Sequence, residues 1–101
     1  DTVVVGAGAA GSAAAWMLSR RGRRVALLDR HAAGHQFGSS HGTERIFRYV
    51  YAEREYVRLA LEARPLWAEL EAEAGVEILT QCGGVDIGPL AEIELRRAAG
   101  L

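Results

Sequence analysis

Three glycines near the start of the chain, together with an aspartate further on, have the residue types and the spacing to bind a dinucleotide. The segment 6–11 has the pattern Gly-x-Gly-x-x-Gly, formed by Gly6, Gly8 and Gly11. In a strand-to-helix turn these glycines permit, in order, a tight turn, a close approach of the backbone to a pyrophosphate, and close packing of the helix on the strand. The free amides and the dipole of the helix N-terminus favour a phosphate at that place. The Asp29 carboxylate can accept hydrogen bonds from both hydroxyls of an adenosine ribose and would repel a 2′-phosphate, so NADP is disfavoured, while NAD and FAD remain open.

These residues act together only if regular elements bring them to one end of a sheet. Thr2 to Val5 is a β-branched run typical of a strand buried on both faces, and a second apolar run, Val25 to Leu28, ends directly before Asp29. Between them, Ala9 to about Arg21 consists of good helix formers and is followed by a glycine. The sequence therefore predicts a βαβ unit with a right-handed crossover and an α/β, Rossmann-like fold class. The alternative is that the glycines only make a tight turn and bind nothing.

Composition and charge restrict the classes of function. With 101 residues, half of them hydrophobic and a quarter charged, the chain has the balance of a globular protein and the size of at most one small domain. The net charge of −1 gives no basic surface for nucleic acid, and no apolar run reaches the roughly 20 residues needed to cross a bilayer. The one cysteine, Cys82, cannot form an internal disulfide, and we interpret it as a small buried residue of a cytoplasmic protein.

The middle of the chain combines a glycine-rich loop with a short alternating segment. Residues 30 to 42 carry three glycines, two serines and three histidines without an apolar period, which predicts a loop. Arg45 to Tyr51 alternates polar and apolar residues, which predicts a short strand. On such a strand two arginines three positions apart, Arg45 and Arg48, would point to opposite faces. The apolar side chains that this strand would bury are those of Ile46, Phe47 and Tyr49.

Two helices and a strand pair are predicted beyond this segment. From Glu55 to about Ala74 apolar residues recur at near-helical spacing, and Pro65 predicts a kink or two abutting helices. Short apolar runs at residues 78–80 and 85–87 flank two glycines, which predicts a strand with a bend or a hairpin. A last helix is predicted from Leu90 to Ala99. The residues expected to face a core are Trp16, Met17, Val57, Leu61, Trp67 and Leu70.

The loop and the segment after it carry a more specific pattern. Its residues are Asp29-Arg30, Gly34, Gly38-Ser39-Ser40-His41-Gly42, Arg45-Ile46-Phe47-Arg48, Tyr56-Val57, Leu66-Trp67 and Thr80-Gln81-Cys82-Gly83-Gly84-Val85-Asp86. They resemble the amino-terminal region of monomeric sarcosine oxidase and its relatives, the N-methyl amino acid oxidases, within the FAD-dependent D-amino acid oxidase-like superfamily. The resemblance covers essentially the whole chain. It implies FAD as cofactor, a doubly wound FAD domain joined to a substrate domain, and a need for the remainder of the same polypeptide.

The resemblance also implies a division of the chain and a role for each candidate residue. Residues 1–101 would form the N-terminal part of the Rossmann-like FAD-binding domain, together with the start of a substrate-domain insertion. Within it, residues 1–42 would be the βαβ unit and the flavin loop, and residues 43–101 a strand, a long helix and a strand or hairpin that lead into the rest of the protein. The residues implied to bind the cofactor are Gly6, Gly8, Gly11, Asp29, Arg30, Ser39 and Ser40. The residues implied to be catalytic are His41 near the flavin ring, Arg45 with its positive charge beside the isoalloxazine, and Arg48 on the substrate carboxylate. A planar guanidinium such as that of Arg48 can give a carboxylate two parallel hydrogen bonds.

The implied activity is oxidation of a secondary or N-methyl amino acid such as sarcosine, with oxygen as acceptor and hydrogen peroxide as product. Three alternatives stay open: another FAD-dependent amino acid oxidase or dehydrogenase, an NAD-dependent dehydrogenase, and an inactive truncated fragment or interaction module.

The candidate residues have structural alternatives of their own. Arg45 and Arg48 could lie on a solvated edge strand, and the two loop serines could simply cap the following segment. We interpret His31 and His35 as solvent-exposed loop histidines, because nothing beside them in the sequence marks them as functional.

Overall fold

The computed structural model describes residues 1–100, and Leu101, the last residue of the predicted second segment, lies outside the described residues. Its elements, in chain order, are strand β1 (Thr2–Val5), helix α1 (Ala9–Arg20), strand β2 (Val25–Leu28), helix α2 (Arg54–Ala74) and helix α3 (Leu90–Gly100). The described chain divides into two compact units, residues 1–45 and residues 46 onward.

The first unit contains the predicted βαβ arrangement. Strands β1 and β2 pair in parallel, with Thr2 opposite Val25 and Val5 opposite Leu28, and α1 lies between them in the sequence and packs on both. Helix α1 is followed by Gly22, whose φ of +75° is the left-handed conformation that ends helices. The α/β class and the parallel pair are therefore confirmed. Among the described residues the sheet has two strands, and Val5 is 82% exposed, so β1 is not buried on both faces here.

The predicted strand from Arg45 to Tyr51 is wrong, because the structure has irregular backbone at these positions. An alternating pattern makes a strand only where the backbone pairs with a neighbour, and no strand of residues 1–100 pairs with this segment. Its apolar side chains are accordingly less covered than predicted: Ile46 and Tyr49 are exposed, while Phe47 is half-buried.

Helix α2 runs without interruption through Pro65, so the prediction of two abutting helices is wrong. Proline fixes φ near the helical value, and the helix loses the amide that would otherwise bond the Leu61 carbonyl. Two residues of its apolar face, Val57 and Ala60, are buried, whereas Leu61 is exposed. The helix ends at Gly75, which has a φ of +68° and donates its N–H to the Glu71 carbonyl at 2.9 Å.

The segment between α2 and α3 forms neither of the predicted strands. Its first part is held by Glu71, whose Oε1 accepts the N–H groups of Ile78 at 2.7 Å and Leu79 at 2.8 Å. The bonds from Leu79 and Ile78 keep the pKa of the Glu71 carboxyl below its usual value. Cys82 is exposed, so its interpretation as a buried residue is wrong.

Helix α3 begins at Leu90, where it was predicted, and Arg54 of α2 donates a hydrogen bond to the Ala98 carbonyl at 3.3 Å. None of the helices in the described residues is long and apolar enough to span a membrane.

Candidate functional site

The glycine turn after β1 is formed as the sequence predicts. Gly6 has a φ of +98°, in the region that favours glycine, and its N–H donates to the Leu28 carbonyl at 2.7 Å. That bond ties the turn to the end of β2. Gly11, in the first turn of α1, lies directly against the Gly6 carbonyl, and a Cβ added there would overlap the carbonyl oxygen. Helix and strand can therefore pack this closely only because residue 11 is glycine.

Asp29 faces the glycine turn, although it follows Ala7 by 22 residues in the sequence. Its Oδ2 accepts the Ala7 N–H at 2.7 Å, and its Oδ1 accepts the His31 N–H at 2.9 Å. The bonds from Ala7 and then His31 keep the pKa of the Asp29 carboxyl below its usual value. The side chain is 17% exposed. The carboxylate is therefore charged and fixed beside the turn, and its roughly four acceptor positions are not exhausted by two amides.

A serine from the loop after β2 forms a hydrogen bond with the N-terminus of α1. Ser40 Oγ accepts the Ala9 N–H at 2.9 Å, although the two residues are 31 positions apart. A Cβ on Gly8 would stand 3.1 Å from the same Oγ, so the missing side chain of Gly8 makes room for Ser40. The serine therefore caps the preceding helix α1, whereas capping of the following segment had been the alternative. Its hydroxyl proton stays free to be donated at the place where a phosphate is expected.

A pocket of about 600 Å³ opens at the carboxyl ends of β1 and β2. It brings together three of the predicted residues, Gly6, Asp29 and Arg30. It is also lined by an aromatic group that the sequence interpretation left out, whose members are His31, His35 and Phe37. The ring centroids of His31 lie 4.9 Å from His35 and 4.5 Å from Phe37.

The interpretation of His31 and His35 as exposed loop residues is wrong. Both are half-buried, and His35 Nε2 lies 3.4 Å from Asp29 Oδ1. The available signal was their place in the loop that directly follows Asp29, in a segment with a glycine turn that can fold back.

Arg45 forms two hydrogen bonds with the backbone at the end of the loop that follows β2. Its guanidinium donates to the carbonyls of Ser39 at 3.0 Å and Glu44 at 2.6 Å. Gly42, with a φ of +102°, leaves space for it, since a Cβ there would stand 3.0 Å from Arg45 Nη1. His41 lies exposed within the same loop. Arg45 thus presents its charge from an ordered loop, and the strand on which it was predicted to lie is absent.

Arg48 belongs to the second unit and lies beside an aromatic groove. Its guanidinium carbon is 5.0 Å from the centre of the Tyr51 ring, within reach of a cation–π interaction. Tyr51 lines a groove of about 440 Å³ together with Phe47 and Tyr56. Arg48 therefore contacts an aromatic ring and does not lie on a strand.

Comparison with known proteins identifies the family. The sequence profile of the FAD-dependent oxidoreductase family, DAO, matches residues 1–101. The chain is 42% identical over 90 residues to the N-methyl-L-tryptophan oxidases of Yersinia pestis (strain Pestoides F) and Yersinia pseudotuberculosis serotype O:3 (strain YPIII). The aligned part covers 88% of this chain and 24% of those proteins, so the chain spans about a quarter of their length.

This match decides between the cofactors that the glycine turn leaves open, in favour of FAD. It agrees with the resemblance to the N-methyl amino acid oxidases that the loop residues carry. The chain belongs to the FAD-dependent oxidoreductase (DAO) family.

Proposed function

We propose that this chain is the adenosine-diphosphate-binding part of an enzyme that oxidises a secondary or N-methyl amino acid with FAD. The single observation that carries the proposal is the bond from Ala7 N–H to Asp29 Oδ2 at 2.7 Å. It fixes a charged carboxylate, suited to ribose hydroxyls, next to a helix N-terminus suited to phosphate. The substrate class is supported by the N-methyl-L-tryptophan oxidases to which the chain is similar.

The residues present fit the ADP half of FAD. The glycine turn exposes backbone at the start of α1, whose first turn carries no acidic side chain to repel a phosphate. Gly6, Gly8 and Gly11 would hold the pyrophosphate there, with Ser40 donating its hydroxyl proton. Asp29 would hold the ribose, and Arg30 lines the same pocket. This arrangement and the Rossmann-like class of the complete domain are parts of the proposal.

The remaining candidate residues would serve the flavin and the substrate. Arg45 would place a positive charge near the isoalloxazine, with His41 and Ser39 in the same loop. Arg48 would bind the substrate carboxylate, and the apolar groove beside it would accept carbon of the substrate. When bound, FAD would supply the two-electron redox chemistry, as acceptor of a hydride equivalent from the carbon beside the amine nitrogen, with oxygen as the final acceptor and hydrogen peroxide as the product. The protein's part is to bind, orient and supply charge.

The complete protein encoded by the gene tests this proposal directly. Purified from cells, it should be yellow and release hydrogen peroxide with sarcosine or N-methyl-L-tryptophan. Matched reactions with glycine and L-tryptophan, which lack the N-methyl group, serve as substrate controls. Turnover of the unmethylated amino acids alone would favour another amino acid oxidase of the superfamily. Bound flavin without turnover of any amine would favour the inactive alternative, and a colourless protein that binds NAD would contradict the assignment.

A further inference from the structure

The loop after β2 folds back so that His35 reaches Asp29. The turn from Ala32 to His35 is closed by the His35 N–H, which donates to the Ala32 carbonyl at 3.2 Å. Gly34 in this turn has a φ of +80°, which favours glycine and reverses the chain direction. As a result His35 Nε2 lies 3.4 Å from Asp29 Oδ1, and the two side chains are 22% and 17% exposed. The contact is thus partly shielded from water.

One hydrogen bond to the His35 ring determines which ring nitrogen carries the proton. The Phe37 N–H donates to Nδ1 at 3.1 Å, so Nδ1 acts as an acceptor and carries no proton. In the neutral ring the proton therefore lies on Nε2, which is the nitrogen that faces the Asp29 carboxylate. The ring links a backbone amide of the loop to the anion at the end of β2.

Each oxygen of Asp29 accepts one backbone amide, and the His35 ring adds a second contact at Oδ1 only. Oδ2 is fixed by the Ala7 N–H of the glycine turn, while Oδ1 is held by the His31 N–H and approached by His35. At 3.4 Å the His35 contact is longer than an ordinary hydrogen bond, so it orients Oδ1 electrostatically while leaving acceptor capacity for a ligand. His35 also lines the pocket in which that ligand would lie.

We propose that His35 is a positioning residue. Its Nε2–H orients the Asp29 carboxylate so that the carboxylate can accept hydrogen bonds from the ribose hydroxyls of the cofactor. The inference rests on the proposed function, because it assumes that Asp29 binds the adenosine ribose. His35 acts through Asp29, so its contribution should disappear when Asp29 can no longer bind as an anion. It should also be absent for a flavin without adenosine.

The test uses the apoprotein of the complete gene product and measures binding by titration calorimetry. The probes are ADP, which carries the ribose and pyrophosphate without the flavin, and FMN, which carries the flavin without adenosine. We expect His35→Ala to weaken ADP binding about fivefold and to leave FMN binding unchanged. A fivefold loss lies between the loss expected for an exposed ion pair and that expected for a charge-assisted hydrogen bond. His35→Gln, which can place an amide N–H near Asp29, should restore ADP affinity. His35→Asn, which keeps only a group at the Nδ1 position, should not.

A double-mutant cycle separates the possible failures. In an Asp29→Asn background, His35→Ala should change ADP affinity by less than about twofold if the two residues act as one unit. A persistent fivefold loss in that background, or ADP binding by His35→Ala equal to that of the unaltered protein, would overturn the role of His35 and leave the proposed function standing. If Asp29→Asn itself binds ADP normally, the ribose site is misplaced and this inference falls with it, while the peroxide assay still reports on the enzyme activity. Melting temperatures of the variants show whether a loss comes from unfolding.

Discussion

Ser40 and Ala9 are joined by a hydrogen bond from the Ala9 N–H to Ser40 Oγ at 2.9 Å, across 31 positions of the chain. The bond fastens the loop after β2 to the first turn of α1, and it brings two segments implied to bind FAD to the same helix end. A side chain thus occupies one amide of the proposed phosphate site, while its own proton remains available to a phosphate.

Removal of this cap should destabilise the protein. Ser40→Ala should lower the free energy of unfolding by about 1 kcal/mol, as expected for loss of a helix cap. Ser39→Ala is the matched control, because the contact of Ser39 with Arg45 uses its backbone carbonyl, which alanine keeps. Denaturant unfolding of the two variants in the complete protein checks the expectation. Equal stability of Ser40→Ala and the unaltered protein would show that the cap contributes nothing.

The glycines of the turn should differ in their tolerance of a methyl group. Gly11→Ala should cost about 2 to 3 kcal/mol and abolish FAD retention, because its Cβ meets backbone that cannot move freely. Gly8→Ala should be milder for folding, since its Cβ meets only the flexible end of Ser40 at 3.1 Å. Gly84→Ala, with open space around it, is the control and should change stability by less than about 1 kcal/mol. Thermal unfolding and the flavin content of the purified variants measure both effects, and equal behaviour of Gly11→Ala and Gly84→Ala would contradict the packing argument.

Stability should depend on pH through Asp29 in one direction. Hydrogen bonds from Ala7 and His31 lower the pKa of this carboxyl in the folded protein from its ordinary value of 3.8. The group therefore contributes stability that is fully present above its unfolded pKa and is lost as the pH falls through its lower folded pKa. Asp29→Asn lacks the titrating group, so the difference in unfolding free energy between the two proteins should be constant near neutral pH and shrink in acid. Denaturant titrations at a series of pH values measure it, and a difference that grows on acidification would have the wrong sign for this account.

Arg48 should act on the substrate and leave the cofactor in place. Arg48→Ala should raise KM for an N-methyl amino acid roughly tenfold to a hundredfold, because it removes the binding free energy of a charge-assisted hydrogen-bond pair. The KM of Arg48→Lys should lie between those of the unaltered protein and Arg48→Ala, because lysine keeps the positive charge and lacks the planar guanidinium. Steady-state kinetics, with the visible spectrum as a check on bound flavin, measure both variants. Unchanged KM in Arg48→Ala, or loss of flavin from it, would remove Arg48 from the substrate site.

Local patterns were sufficient to predict the two strands and the helix of the first unit. Apolar runs gave β1 and β2 their bounds, and Gly22 marked the end of α1, because these features depend on neighbours close in sequence. The turn at Gly6 and the position of Asp29 beside it followed from the same spacing. What depends on distant partners was missed: no strand within residues 1–100 pairs with the segment around Ile46, and Ser40 contacts the preceding helix.

The contact between His35 and Asp29 is another feature of the site that local sequence could not predict. Its sequence neighbours are those of an ordinary loop histidine, and its contact with Asp29 exists only because the turn at Gly34 folds back. Burial was overestimated for a similar reason. Cys82 and Leu61 are apolar types that the described residues leave uncovered, since coverage depends on which surfaces meet and not on residue type alone.

A crystal structure of the complete protein with FAD bound tests the central claim most directly. The account predicts a carboxylate oxygen of Asp29 within about 2.5 to 3.0 Å of a ribose hydroxyl, and the pyrophosphate against the first turn of α1. It would be contradicted by an adenosine bound elsewhere, with Asp29 still bonded to Ala7 and touching no part of the cofactor.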